Sequence, residues 1–471
     1  MKILFALALL LMGLSGCSSR QPEPFVSFIT STVVPPMPPP PPPPTPVDFI
    51  ADLDFMLDTL RENFGYFDNA RYELDFDIEY MVRGLQAELA TMEEISVLHF
   101  YRRMRHTFEA DRLVGHFMVH SPDYSNTFMT RELLNQQEYY SEFSRNLAAE
   151  FLAGYRTLAH RMFERGIRTR GFYRGPEVAQ ALADAIANQD FDTLADTIAL
   201  HENTPPFHHR VLEADNVAYL AMLGMWLPEG SAGADILHGL AGFYAQIQDF
   251  PHLIIDVRGN TGGHRHYFLE NVLAPLLPGR AFEFVFYYFG HTSMEIPHHG
   301  RSPINPTEGT SYQYFTLLDL ERVPRAELLQ QSTLPAMNYN NIKNLPYGFR
   351  MRMQHDMTPR SLFSDLGFDG QIWVLTDGLV GSGGHIFSYI VKEAGFATLV
   401  GEPTGGNYAG VSARPVVTMP NSLLQFQYDE GALFTSQGRS MEIPIQPHYP
   451  NRPGLCALET VLAMIAEQEG N

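Results

Sequence analysis

Residues 372–385, IWVLTDGLVGSGGH, combine an apolar strand, a glycine-rich turn and the start of a helix that runs to about Glu393. The turn places a small residue, Ser382, between glycines at the start of the helix. A serine there presents its hydroxyl at a sharp bend, beside the free N–H groups and the positive dipole end of the helix. This position suits a nucleophile, although the spacing is not the Gly-x-Ser-x-Gly of a nucleophile elbow. The alternative is that Ser382 only caps the helix.

The neighbouring segments predict a layered structure around this stretch. Apolar runs predict strands at residues 217–222, 253–257 and 397–400, and a helical pattern covers residues 233–247. Strand, turn, helix and strand in this order indicate an α/β structure with parallel strands.

Three further segments contain the residue types that chemistry at such a turn needs. They are DVRGNTGG at residues 256–263, GEPTGG at residues 401–406, and SMEIPIQP at residues 440–447, which contains Glu442. Glycines let the backbone take positive φ, and backbone N–H groups exposed in such loops can stabilise an oxyanion. The first segment is not a phosphate loop, because it lacks the Gly-Lys-Ser/Thr ending.

In combination and in this order, the four motifs resemble the tail-specific protease and tricorn family of serine peptidases, which includes the C-terminal processing proteases. The resemblance covers about residues 213–471 and, less clearly, residues 105–122. It implies an α/β catalytic core of the ClpP/crotonase β-β-α spiral type and hydrolysis of peptide bonds through an acyl-enzyme on Ser382, without a cofactor.

An oxyanion hole is expected between two of the glycine loops. Both loops follow apolar strands, and a parallel sheet would bring them to the same edge. We therefore expect the backbone N–H groups of Gly383 and of Gly262 or Gly263 to form this hole.

The lysine content separates two versions of the family's general base. The processing proteases use a lysine directly after Thr-x-Gly, but here an asparagine follows residues 404–406. The chain has only Lys2, Lys343 and Lys392. Lys392 lies on the same predicted helix as Ser382, roughly 15 Å further along it at 1.5 Å per residue. The Ser–Lys mechanism is therefore nearly excluded.

The tricorn-like subgroup uses Ser-His-Ser-Glu instead. Residues 108–116, FEADRLVGH, are similar to its histidine segment, so the resemblance implies His116 as the general base and Glu442 as the orienting carboxylate. Gly115 stands where that subgroup has its orienting serine, which is a departure from the pattern. The alternative bases are His106, His120, His385 and Lys343.

The N-terminal part predicts export and a spacer. Residues 1–17 combine a positive Lys2, a short apolar run and the sequence LSGC, which resembles a lipobox with Cys17 as the lipidated residue. An ordinary cleaved signal is the alternative. A proline-rich linker at residues 18–47 and a helical domain at residues 48–212 follow, before the catalytic domain at residues 213–471.

Composition excludes other classes of function. The net charge of −21 argues against nucleic-acid binding, since phosphate contact needs clustered lysine and arginine. Two histidine pairs, His264 with His266 and His298 with His299, lack a third ligand at a characteristic spacing, so no metal is expected. The Gly-Asp and Ile-Asn landmarks of a PDZ domain are absent between the histidine segment and the first predicted strand.

We therefore predict a serine endopeptidase or carboxy-terminal-type peptidase that is anchored in the cell envelope by lipid. It would act on peptides or unfolded polypeptides in the periplasm or outside the cell. One alternative is a catalytically inactive peptide-binding lipoprotein on the same fold. Two departures from the family pattern favour it: Gly115, and His385 at a position where the family often has glutamate. A second alternative is hydrolysis of a non-peptide ester or amide.

Overall fold

A computed structural model describes residues 43–109, 114–120, 207–227, 230–263, 265–290, 318–330, 345–406 and 415–470. All of them lie in one compact unit, Pro43–Asn471. Several sequence predictions fall outside the described residues: Cys17, the linker before residue 43, residues 121–206 of the predicted helical domain, Lys343, His264, and the pair His298-His299.

Four helices form the described part of the N-terminal region: α1 (Pro46–Asn63), α2 (Phe67–Leu74), α3 (Ile78–Leu89) and α4 (Val97–Glu109). Proline in the first turn and a capping box between Thr45 and Asp48 start α1. The helix then buries an apolar stripe against its neighbours: Phe49, Leu53, Leu57 and Leu60 are fully buried. The helical prediction is confirmed for this part of the chain.

The described strands are, in chain order, β1 (Met118–His120), β2 (Phe207–Glu213), β3 (Val217–Met222), β4 (His252–Asp256), β5 (Ala281–Gly290), β6 (Leu318–Val323), β7 (Tyr347–Asp356), β8 (Gln371–Thr376), β9 (Thr398–Gly401), β10 (Val416–Thr418), β11 (Gln425–Gln427), β12 (Gly431–Thr435) and β13 (Tyr449–Pro450). The remaining helices are α5 (Ser231–Ile247), α6 (Arg265–Phe268), a π-helical turn (Leu269–Leu273), α7 (Ala274–Leu276), α8 (Arg325–Gln330), a 3₁₀ turn (Ser361–Phe363), α9 (Ser382–Glu393) and α10 (Ala457–Glu469).

A six-stranded sheet forms the centre of the α/β part, in the order β13-β9-β8-β4-β3-β2. All neighbours are parallel except β2 and β3. Alternate side chains of a strand point to opposite faces. Leu253 and Ile255 of β4 therefore join the apolar cluster that includes α5 and α9, whereas Ile254 joins the cluster that includes α10. The predicted parallel strands with helices between them are confirmed.

Two antiparallel sheets complete the described structure, with the orders β12-β5-β7-β6 and β1-β11-β10. Residues of β1, β11 and β12 share one apolar cluster with α1, α3 and α4. The predicted fold class, an α/β core of the ClpP/crotonase type with a helical N-terminal region, is confirmed. The predicted domain boundaries stay predictions. Within the described ranges, we find no helix with the length and apolar character needed to span a bilayer.

Candidate active site

Three loops meet at the carboxyl ends of β4, β8 and β9. Gly381 N–H donates to the carbonyl of Asn260 at 3.0 Å, and Ser382 N–H donates to the carbonyl of Gly406 at 3.2 Å. The start of α9 is therefore fixed between the loop after β4 and the loop after β9. This is the sheet edge at which the sequence predicted that the glycine loops would meet.

Polar side chains fix the loop after β4 from inside. Asn260 Nδ2 donates to the carbonyl of Met222 at 2.8 Å, and its Oδ1 accepts from Gly262 N–H at 2.8 Å. Asp377 Oδ1 accepts from Gly259 N–H at 2.8 Å, which joins this loop to the turn before Ser382. The loop is thus held by buried amide and carboxylate groups, and its glycine conformations are fixed before a substrate arrives.

An ion pair lies beneath the same loop. Arg258 donates to both carboxylate oxygens of Asp256, at 2.9 and 2.6 Å, and Tyr219 donates to Asp256 Oδ2 at 2.7 Å. Burial alone would raise the pKa of Asp256, but the charge and hydrogen bonds of Arg258 lower it overall. Asp256 therefore stays ionised, and its pairing with Arg258 is the structural role of the Asp-x-Arg motif.

Ser382 has an unusual backbone conformation at the first residue of α9. Its φ is +47°, and it is one of five described non-glycine residues with positive φ; His116 is another. Such conformations are sparsely populated and concentrate at functional sites. Gly381 occupies the N-cap position, so the alternative interpretation of Ser382 as the cap is wrong. Among the described residues, none forms a hydrogen bond with the Ser382 hydroxyl.

The glycines predicted for the oxyanion hole lie against Ser382. A Cβ added to Gly262 would lie 2.5 Å from Gly383 N and 2.8 Å from Ser382 Cβ. A Cβ added to Gly383 would lie 3.1 Å from Gly263 N. The two loops are therefore in direct contact, and only residues without side chains fit between them.

One of the three predicted N–H donors is already used inside the loop. Gly262 N–H donates to Asn260 Oδ1, so it is not available to a substrate. No described residue accepts a hydrogen bond from Gly263 N–H or Gly383 N–H. Of the two predicted alternatives, the geometry favours Gly263 over Gly262, so Gly263 and Gly383 are the candidate donors.

The predicted base, His116, lies in a buried turn just before β1. Its Nδ1 is 2.8 Å from Oδ2 of Asp429, whose side chain is fully buried. Glu442, the carboxylate that the resemblance implied as its partner, accepts from Gly115 N–H at 3.0 Å through Oε2. Both carboxylates thus hold the same turn, one through the ring of His116 and one through the backbone before it.

Gly115 is confined by aromatic rings as well as by its conformation. Its φ is +51°, and an added Cβ would lie 2.6 Å from ring atoms of both Phe64 and Tyr66. A serine at this position, as the tricorn-like subgroup has, would require these rings to move.

The nucleophile and the predicted base are linked through Gly406 and Glu442. Gly406 accepts from Ser382 N–H, and a Cβ on Gly406 would overlap the carbonyl oxygen of Glu442. Glu442 in turn holds Gly115 through its side chain. No hydrogen bond joins Ser382 to His116 among the described contacts, and in unliganded enzymes such bonds are often long until substrate binds.

His385, an alternative base, is buried inside α9 and has structural partners. Its Nδ1 lies 2.8 Å from Thr404 Oγ1, and Ile445 N–H donates to the same oxygen at 2.8 Å. Burial and the charge of Arg439 lower the pKa of His385 to about 3, against a hydrogen bond to the Met441 backbone. His385 is therefore neutral and joins α9 to the segments around Thr404 and Met441.

The other alternative bases lie in different settings. His106 is exposed on α4, and His120 is buried on β1, where burial lowers its pKa. Lys392, which was not expected to act as a base, donates from Nζ to the carbonyl of Gln446 at 2.7 Å. No group of three His, Cys, Asp or Glu side chains in the described ranges is arranged to hold a metal ion.

Sequence reasoning missed Asp429 and Asn260. Asp429 lies 313 residues from His116, and the only local signal is an acidic residue in the turn between two strands. Asn260 stands inside a quoted motif, but its effect on the Gly262 N–H depends on the direction of its side chain. Neither contact is visible in spacing or composition.

One protein family and several solved structures are similar to this chain. The model of peptidase family S41 matches residues 216–450. No curated protein matches the chain. Among solved structures, a candidate peptidase from Parabacteroides merdae is 13% identical, with 90% of this chain and 97% of that chain covered and a TM-score of 0.46. The structure of mature CPAF is 13% identical, covers 90% of this chain and 99% of its own chain, and has a TM-score of 0.46. The photosystem II D1 C-terminal processing protease is 14% identical, with 56% and 52% covered and a TM-score of 0.31.

Proposed function

Because the chain belongs to peptidase family S41, and is therefore a peptidase that acts on a peptide or protein substrate, we propose that it is a serine peptidase with Ser382 as its nucleophile. The observation that carries the proposal is the position of Ser382. It begins α9 with a positive φ, and the N–H groups of Gly263 and Gly383 lie beside it.

In the proposed reaction, Ser382 Oγ attacks the carbonyl carbon of the scissile bond while its proton passes to His116 Nε2. The carbonyl oxygen becomes an oxyanion, which the N–H groups of Gly263 and Gly383 stabilise. The C–N bond then breaks, the amine leaves with the proton from His116, and an acyl-enzyme remains. Water attacks the acyl-enzyme in the same way, which releases the acid and restores Ser382.

A histidine base is needed because a serine hydroxyl is a weak nucleophile at neutral pH. His116 is supported by its buried turn, its contact with a carboxylate and its link to Ser382 through Glu442 and Gly406. The competing proposal is a peptide-binding protein without activity. The missing hydrogen bond between Ser382 and His116 in the described structure favours that alternative.

Reaction with a fluorophosphonate probe separates the two proposals. We expect the wild type to gain one adduct on Ser382, detected by peptide mass spectrometry, and Ser382→Ala to gain none. His116→Ala should react about 10³-fold more slowly or worse. In cleavage of a peptide substrate, the double variant should be little worse than either single one, because the groups act as a unit.

Ser388→Ala is the matched control for this experiment. Ser388 lies on the same helix, and its hydroxyl donates to the Gly384 carbonyl at 2.9 Å. This variant should keep the adduct. If the wild type is folded but is never labelled, the serine-peptidase proposal is wrong and the peptide-binding protein is favoured. Mass spectrometry of new termini detects cleavage of unfolded polypeptides. Labelling of Ser382 without such cleavage would favour a non-peptide ester or amide as the substrate.

We also propose that Cys17 carries lipid and holds the enzyme at a membrane of the cell envelope. Support comes from the sequence LSGC after a short apolar run, followed by the proline-rich segment. Cys17→Ser should move the protein from the membrane fraction to the soluble fraction. Unchanged membrane association in that variant would contradict the anchor.

A further inference from the structure

We propose that Asp429 is the positioning residue that orients the ring of His116, and that Glu442 fixes the peptide group in front of that ring. The inference rests on the proposed function, because orientation matters for catalysis only if His116 acts as the base. It assigns separate roles to two carboxylates that are both buried, Asp429 at 0% exposure and Glu442 at 1%.

The pairing of β1 with β11 brings the segment that contains Asp429 beside the turn that contains His116. Met118 pairs with Gln427 in an antiparallel ladder. Beyond this pair the two segments stay in contact, because Asp429 N–H donates to the carbonyl of Gly115 at 3.0 Å. The 2.8 Å contact between Nδ1 of His116 and Oδ2 of Asp429 lies beside this backbone hydrogen bond.

Asp429 is itself held firmly by its backbone. Its N–H donates to the carbonyl of Gly115 at 3.0 Å, and its carbonyl accepts from Gly65 N–H at 3.1 Å. A fixed carboxylate that accepts from Nδ1–H selects one ring tautomer and leaves the Nε2 lone pair for the serine proton. The same carboxylate stabilises the imidazolium once that proton has arrived.

Glu442 contacts the turn at a different point. Its Oε2 accepts from Gly115 N–H, the peptide group next to His116. The resemblance implied a serine side chain between this glutamate and the histidine, but Gly115 has no side chain and the rings of Phe64 and Tyr66 leave no room for one. The direct contact between Asp429 and His116 supplies the orientation that such a serine would have relayed.

Tyr66, whose ring confines Gly115, lies near both carboxylates. The pKa of Tyr66 is raised well above its ordinary value, first by burial and then by the negative charge of Glu442, with Asp429 adding to it. Tyr66 therefore stays neutral, and its hydroxyl accepts from Leu433 N–H at 2.9 Å.

The first test needs no change at Asp429 or Glu442. The full chain is prepared with ¹⁵N-labelled histidine and observed by NMR at a pH at which imidazole is neutral. His116→Gln identifies the signals of His116 among those of the 18 histidines by difference. We expect the proton on Nδ1 and none on Nε2. A neutral His116 with its proton on Nε2 overturns the proposal, whether or not any variant folds.

Two variants then separate the carboxylates. Asp429→Asn should lower kcat by about 10³–10⁴-fold with KM little changed, and should move the ring proton of His116, because the amide can donate to Nδ1 and stabilise the wrong tautomer. Glu442→Gln should keep the Nδ1 tautomer of His116 and should lower kcat by about tenfold, as expected when one hydrogen bond is weakened. Circular dichroism checks that both variants fold.

The outcomes distinguish this inference from the proposed function. If the wild type never reacts with the fluorophosphonate, yet its His116 proton lies on Nδ1 and moves in Asp429→Asn, the proposed function fails and the orientation by Asp429 stands. If the wild type reacts, and Glu442→Gln rather than Asp429→Asn loses 10³-fold, the proposed function stands and the inference fails.

Discussion

The two halves of the candidate site are held by different forces. The nucleophile half, residues 256–263, 376–385 and 401–406, is joined mainly by backbone hydrogen bonds and by close approach of glycines around Ser382. The base half, residues 114–120, 425–429 and 440–442, is joined by buried carboxylates that bond to a ring and to a peptide group, against aromatic side chains.

This difference indicates which physical property restricts the residues that each half can accept. Around Ser382 the limit is space, because N–H groups can approach an oxyanion only if no side chain stands between the loops. Around His116 the limits are charge and packing, because the ring orientation depends on Asp429 and the turn depends on Phe64 and Tyr66. The same change of side chain should therefore have different consequences in the two halves.

The largest effects are expected from one added methyl group, placed in each half in turn. Gly262→Ala would put Cβ 2.5 Å from Gly383 N and displace a candidate oxyanion donor. We expect kcat on a peptide substrate to fall by about 10²–10³-fold, the loss typical of one such donor.

Gly115→Ala would press on Phe64 and Tyr66. We expect the free energy of unfolding in urea to fall by about 2–5 kcal/mol, because the site is overpacked and alanine is strained at positive φ.

Gly395→Ala is the matched control for both changes. Gly395 also has a positive φ, +68°, but an added Cβ would meet nothing within 4 Å. It should lose only about 1–2 kcal/mol of stability from its backbone conformation and keep full activity. If Gly262→Ala is as active as this control, space around Ser382 is not limiting. If Gly115→Ala is as stable as this control, the aromatic rings do not confine the turn.

The nucleophile half could be predicted from sequence because its parts are local. Strand, glycine turn and helix start lie together in residues 372–385, and Ser382 begins α9 as predicted. The parallel order of the strands then brings the other two glycine loops to the same edge. Only the use of the Gly262 N–H by Asn260 was not predictable, since it depends on a side-chain direction.

The base half was predictable only in part. His116 could be selected by its similarity to a family segment, but its partner could not, because the contact with Asp429 joins residues 313 apart in the chain. That contact lies beyond the residues that pair in β1 and β11, so strand patterns alone do not show which residue faces the ring. Glu442 was predicted near His116, and the structure places it on the adjacent peptide group.

The smallest effect is expected at His385, which joins the two halves through Thr404 and Met441. Its folded pKa is lowered to about 3, so between about pH 6.5 and pH 3 the unfolded chain binds a proton there that the folded chain does not. The stability that this neutral histidine contributes is therefore fully present above pH 6.5 and is lost as pH falls. For one proton the slope is at most about 1.4 kcal/mol per pH unit, or about 2 kcal/mol between pH 7 and pH 5.

His385→Gln should remove this share of the acid sensitivity. The free energy of unfolding in urea is measured at pH 7 and at pH 5. At pH 7 the variant should be less stable than the wild type, because the two hydrogen bonds of the ring are disturbed. Between pH 7 and pH 5 the variant should lose about 2 kcal/mol less stability than the wild type. His238→Gln, an exposed replacement on α5 that touches neither Thr404 nor Met441, should follow the wild type. Equal losses in His385→Gln and the wild type would mean that the joint between the two halves does not depend on a neutral imidazole.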